Sequence, residues 1–209
     1  MFKKVENSFS VFGIQTNKLY LQPVFIREKE MSARSEVIFD RNVVEFVTVA
    51  AEFCGYLERS EGVSRNEFVD TLLKLLPLLY LKGTMLPASS LIDEEEGLER
   101  FVTEDEYEVL RLTLADVMGR RDDYLDVFVA DMKYSDTPIR KTISEDLADI
   151  WQDIKNFVCL FKTGVNQTMN DALVECRENF ATYWGQTLVN TLRALHEVKY
   201  NLDDEDIEE

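Results

Sequence analysis

Apolar residues recur at helical spacing along most of this chain. Val43, Val44, Val47, Ala50, Ala51, Cys54 and Leu57 fall three and four positions apart, which predicts a first helix from about Asp40 to Arg59. Gly62 is placed to end it. Ser64 and Glu67 then form the S-x-x-E pattern in which each side chain satisfies the other's exposed backbone amide, so a second helix runs from there to about Lys82. Inside it, Pro77 lacks an amide proton and crowds the carbonyl of Leu73, which predicts a kink or a break. Leu72, Leu73, Leu75, Leu76, Leu78, Leu79 and Leu81 surround that helix on nearly all faces. Such a pattern belongs to a helix at the centre of the core.

Gly83 and Pro87 are stop signals, and Ala88 to Gly97 reads as an acidic loop. Thr103 and Glu106 repeat the capping pattern and open a third helix through Met118, with Tyr107, Leu110, Leu114 and Val117 inward and Gly119 closing it. Tyr124 to Val129 fits a short helix and an extended segment equally well and stays unassigned. Thr142 and Glu145 make a third capping pair, with Ser144 as an alternative cap. Leu147, Ile150, Trp151, Ile154, Phe157, Val158 and Phe161 then trace the clearest amphipathic helix of the chain. Gly164 ends it; Asn166 or Thr168 starts a last helix that reaches Tyr200 with one weak point at Gly185. The short connection makes these two helices antiparallel. The expected fold class is all-α, an antiparallel bundle of about five helices. A small sheet from residues 8 to 26 or 124 to 129 is the competing arrangement.

Domain organisation follows from the ends. Residues 1–30 carry Lys3, Lys4, Lys18, Arg27 and Lys29 against Glu6, Glu28 and Glu30, a mildly basic stretch on an acidic protein. They read as an amino-terminal arm, disordered or ordered, or as upstream sequence ahead of a start at Met31. Residues 31–202 form a single helical domain, and the acidic tail 203–209 is expected to repel itself and stay solvated.

The chain has 209 residues, 45% of them hydrophobic and 30% charged, enough to bury a core without disulfide or metal. Its formal charge of −17 and pI near 4.5 oppose binding to phosphate backbones, so general nucleic-acid binding is not expected. A basic protein partner is. Cys54, Cys159 and Cys176 lack metal-ligand spacing and read as free thiols, with no disulfide. The apolar character of Val11 to Ile26 is broken by polar residues and Pro23, so no secretory signal is read. The run Leu72 to Leu81 is about half the length of a membrane span. The expectation is a cytoplasmic protein without membrane attachment, its oligomeric state open.

Candidate chemistry is sparse. His196 is the sole histidine and lies in the last turns of a helix, where the dipole favours it without any catalytic role. No phosphate-binding loop, dinucleotide fingerprint, H-E-x-x-H or C-x-x-C occurs. Asp146, Asp149 and Asp153, at i, i+3 and i+7, place three carboxylates along one helix face, and Glu175 and Glu178 form an E-x-x-E pair on the neighbouring helix. Helical bundles bind Mg or Mn through carboxylates facing each other in this way. The same residues also suit a solvated face or salt bridges with Arg177 and Lys155. Tyr183, Trp184 and Gln186 surround Gly185, which reads either as close helix packing or as a pocket lined by Trp184 and closed by Trp151.

Three blocks together carry a resemblance: Leu72 to Tyr80, Ser144 to Asp153, and Tyr183 to Gln186 with Leu192 to His196. They resemble a bacterial family, domain of unknown function 5063 (DUF5063), over roughly residues 36 to 200. The resemblance implies an all-helical domain and supplies no activity, cofactor or catalytic residue. The function expected is therefore a non-enzymatic interaction or adaptor protein with an acidic surface and no cofactor. The alternative is a hydrolase of a nucleotide or other phosphorylated small molecule, with Mg or Mn on the five carboxylates.

Overall fold

The computed structural model describes residues 37–92, 97–126 and 139–201. The amino-terminal arm, the acidic tail, half of the Tyr124 to Val129 stretch and the whole 8–26 alternative lie outside them. Helix α1 (Arg41–Glu58) starts where Asp40 accepts the Asn42 amide at 2.7 Å. It turns Val43, Phe46, Ala50, Phe53, Cys54 and Leu57 inward. Gly62, at φ 75°, sits in the following turn, where a left-handed backbone favours glycine. Helix α2 (Arg65–Thr84) begins on Ser64, which accepts the Glu67 amide. At α3 (Glu104–Met118) both halves of the capping box form between Thr103 and Glu106.

After a 3-10 turn at Gly119–Arg121, strand β1 (Asp123–Asp126) pairs antiparallel with β2 (Ile139–Thr142), Tyr124 opposite Lys141. The undecided stretch is thus extended as far as Asp126. Helix α4 (Ile143–Lys162) follows directly. Thr142 caps it, accepting the Glu145 amide. Ser144 is no cap; its amide and hydroxyl instead donate to Asp122 at 2.8 and 2.6 Å. Helix α5 (Asn166–Asn179) continues through a π-helical turn, Phe180–Trp184, into α6 (Gly185–Tyr200). Counted as rods among the described residues, these helices make the expected five, and the fold is an all-α bundle that carries a two-stranded ribbon.

Of the kink or break expected at Pro77 in α2, the break does not occur, and the expected central place of this helix needs correction. The helix runs unbroken through Pro77, which is exposed; on that side water can satisfy the carbonyl a proline leaves unpaired. Nor is α2 the centre. Phe68, Val69, Leu72, Leu76 and Leu79 are buried in one stripe, whereas Leu78 and Leu81 are exposed, Leu81 by 53%. The central helix is α4, which packs on α1, α3, α5 and α6, while α2 lies against α1 and α6. A run of leucines maximises apolar content, but centrality depends on how many neighbours cover the helix.

Gly185 has a specific cause. In a π turn the amide of residue i reaches the carbonyl of i−5, and the Gly185 amide meets Phe180 O in this way. A Cβ on Gly185 would stand 2.4 Å from that oxygen and 2.9 Å from the Phe180 ring. The turn also brings Phe180 and Trp184 together at 4.7 Å, packed on Gly83 of α2, where a Cβ would stand 3.1 Å from the Trp184 ring.

Candidate functional site

The three aspartates share one face of α4, as their spacing requires, and each is taken up by a different neighbour. Asp146 is buried; it accepts from the hydroxyl of Tyr124 on β1 and, at 3.3 Å, from Thr191 on α6, with the Lys141 ammonium 3.6 Å away. Burial raises its pKa, against the pull of Tyr124 and Lys141. Asp149 bridges two helices, accepting from Tyr107 of α3 at 2.7 Å and from Tyr183 of the π turn at 2.5 Å. Both tyrosine hydroxyls are harder to ionise, first because burial disfavours the charged form and then because they face this carboxylate.

Asp153 accepts from Asn179 Nδ2 at 3.4 Å, and its Oδ2 is buried without a hydrogen-bond partner. Burial pushes its pKa up to about 6; Arg100 draws it down and Glu175 adds to the rise. Glu175 itself pairs with Arg100 at 2.5 Å. Asn156 continues the stripe one turn further and accepts the amides of Phe101 and Val102 at 2.8 and 3.1 Å.

The five candidate metal ligands are therefore not gathered into one cavity. Glu178 is exposed on the outer side of α5 with Arg177, so Asp153 meets Glu175 and Asn179 in place of the expected Arg177 and Glu178. Lys155 pairs with Glu58 at 2.6 Å and with none of the aspartates. Among the described residues, no three acidic, histidine or cysteine side chains are placed to hold a metal ion. Tyrosine and threonine hydroxyls occupy both oxygens of Asp149 and one of Asp146, and Arg100 holds Glu175, where Mg or Mn would need free carboxylate oxygens.

Of the two readings of Gly185, close packing is what the turn shows, and the pocket lined by Trp184 and closed by Trp151 does not form. Trp184 is fully buried, stacked on Phe46 at 6.3 Å, with its indole N–H on Cys176 O at 3.1 Å. Tyr183 and Gln186 are exposed, Gln186 bonded to Asn190 at 3.0 Å. The π turn swings Trp184 inward and leaves its neighbours outside. Trp151 lies elsewhere, on the opposite side of α4 from the aspartates.

There, Trp151 lines a groove of about 650 Å³ between the carboxyl end of α1, the amino-terminal half of α3, and α4. Its floor is Leu57, Leu110 and Trp151, all buried. Phe101 and Val102, held by Asn156, form one wall; Val109, 66% exposed, stands on another. Glu58, Glu61, Asp105 and Glu106 supply carboxylates and Lys155 an ammonium. One oxygen of Glu58 accepts both the Trp151 indole N–H at 3.0 Å and Lys155 at 2.6 Å. Glu106 is held below the ordinary carboxylate range by the amide and hydroxyl of Thr103. The Cys159 thiol also lines the groove, and all three cysteines are free.

The groove was missed because nothing marks it locally: its members come from residues 57 to 159 and read singly as core or helix caps. Asn156 was a usable signal, a polar residue extending the buried aspartate stripe. No described helix is long and apolar enough to cross a membrane.

No curated protein matches the chain. The crystal structure of protein BF1032 from Bacteroides fragilis is similar, with 55% identity and a TM-score of 0.71, the match covering 80% of this chain and 98% of that one. The family model described as Domain of unknown function (DUF5063) matches residues 37–201, which take in every described residue of the bundle. The chain therefore belongs to the DUF5063 family.

Proposed function

We propose that this protein is a non-enzymatic cytoplasmic interaction protein that recognises a basic protein partner. The observation that carries the reading is the groove on α1, α3 and α4, where an apolar floor is surrounded by more carboxylates than cations. Complementary charge speeds encounter and excludes wrong partners, while desolvated apolar contacts supply affinity. The net charge of −17 extends the same preference over longer range. Of the polar stripe that motivated a metal-dependent hydrolase, Asp146 and Asp149 are taken up by hydroxyl donors of neighbouring elements; Asp153 Oδ2 has no donor, but no three ligating side chains gather around it among the described residues.

Affinity purification of the full chain from native cells, at low and at moderate salt, tests the reading. A stoichiometric basic partner that weakens as salt rises is the expected result. Recovery of no stoichiometric partner at either ionic strength overturns it.

A further inference from the structure

The shape and chemistry of the groove narrow the kind of partner it fits. Val109 is the most exposed of the large hydrophobic side chains recorded as exposed, and Phe101 on the facing loop is exposed as well. A ligand lying between them would be covered on one side only, whereas small-molecule pockets bury most of their ligand's surface. The lining comes from helices and the 101–102 loop and includes neither β1 nor β2. An extended peptide would find no strand edge there to pair with.

What remains is recognition by side chains. Four carboxylates stand against one ammonium, and that ammonium is already bound to Glu58. The Trp151 and Lys155 bonds hold one oxygen of Glu58 in place, and its Oε2 takes no bond among the described residues. An acidic segment would be repelled here, and an uncharged one would strip water from the rim without replacing it.

We propose that the groove is a docking site for one face of a basic amphipathic helix of a protein partner. Apolar residues spaced i, i+3 or i+4, and i+7 would lie on Trp151, Leu110 and Val109. Lysines or arginines flanking that stripe would pair with Glu61, Asp105 and Glu58 Oε2. The assignment rests on the interaction reading above and adds to it the surface and the class of partner.

A displayed library of 20-residue helical peptides, selected on the full chain and counter-selected on its Val109→Glu variant, tests it. Val109 is exposed, so the variant is expected to fold normally. Enriched sequences should be amphipathic, with lysine or arginine flanking the apolar stripe. Their synthetic versions should bind about tenfold more weakly to Val109→Glu, as loss of a central apolar contact implies. Glu58→Gln, which keeps an acceptor for Trp151, should weaken binding less and reduce its salt dependence. Enrichment of acidic or uncharged sequences, binding indifferent to Val109→Glu, or no enrichment would overturn the assignment. A native partner captured equally by wild type and Val109→Glu would remove the groove while leaving the interaction reading standing. Absence of any partner would remove both.

Discussion

Helix α4 shows two nearly opposite faces that differ in what their polar groups are for. On one, Asp146, Asp149 and Asn156 are bonded to donors from β1, α3, α6, the π turn and the 101–102 loop. Those bonds tie neighbouring elements to the central helix. On the other, Glu58 orients Trp151 and Lys155 around a recess that no described element fills. A row of carboxylates attracts attention in a sequence, yet here it is the closed face. The open face carries ordinary residues whose arrangement arises because the end of α1 at Glu58 and the start of α3 at Glu104 meet over α4 in space, with α2 between them in sequence. Polar residues suggest a site only when their valences are left over, and a helix face cannot report that by itself.

The contrast can be broken most severely at Asp146. Asp146→Ala should cost about 2–3 kcal/mol, because it leaves the buried Tyr124 and Thr191 hydroxyls without this acceptor and takes away one of the two carboxylates beside Lys141. Chemical denaturation measures this directly. A loss under about 1 kcal/mol would mean that this face is not what holds the bundle together.

Asp153 sharpens the same comparison with the opposite sign. Its pKa near 6 in the folded protein exceeds the ordinary carboxylate value of about 3.9, so folding disfavours its ionised form. The stability this group contributes is complete below about pH 3.9 and is lost as pH rises through 6. Asp153→Asn should therefore stabilise the protein at pH 7 to 8 by about 1–2 kcal/mol, a figure discounted for partial solvent access, and leave it unchanged at pH 4. Parallel pH profiles of wild type and variant would contradict this.

Asn156→Ala links the two faces. Removing the acceptor of the Phe101 and Val102 amides should cost about 1 kcal/mol and speed hydrogen exchange at both amides, loosening one wall of the groove. Unchanged exchange would show that the loop is held by its side chains alone. The smallest effect on stability belongs to the open face: Val109→Glu should shift unfolding by less than about 0.5 kcal/mol while weakening partner binding about tenfold.

The periodic signals in the sequence were legible wherever a helix buries one face and ends on a local cap. Val43 to Leu57, Thr103 with Glu106, and the stripe ending at Phe161 all behave so, because capping and amphipathicity act within a few residues. Long-range matters were not legible. Leu78 and Leu81 of α2 are exposed because no described element covers that side, and Trp184 is a core residue because the helix changes pitch at Phe180–Trp184. Asn170 and Asp171, buried on α5, bind Ser89, Ser90 and the Ile92 amide of the loop read as merely acidic. The spacing of Asp146, Asp149 and Asp153 was read correctly as one face; what meets that face was not in the spacing.

The π turn at Phe180–Trp184 also carries a consequence for length. Such a turn is equivalent to one residue inserted into an α-helix, and one residue is about 100° of rotation. The wider turn absorbs that rotation, so everything after it, including the Thr191 hydroxyl that reaches Asp146, keeps the phase of an uninterrupted helix. A relative lacking one residue here would close the bulge into a regular α-helix with the α6 face still turned to α4. A one-residue deletion should thus be tolerated at the π turn better than anywhere else along α5 or α6, where the same deletion would turn everything beyond it by about a quarter of a circle.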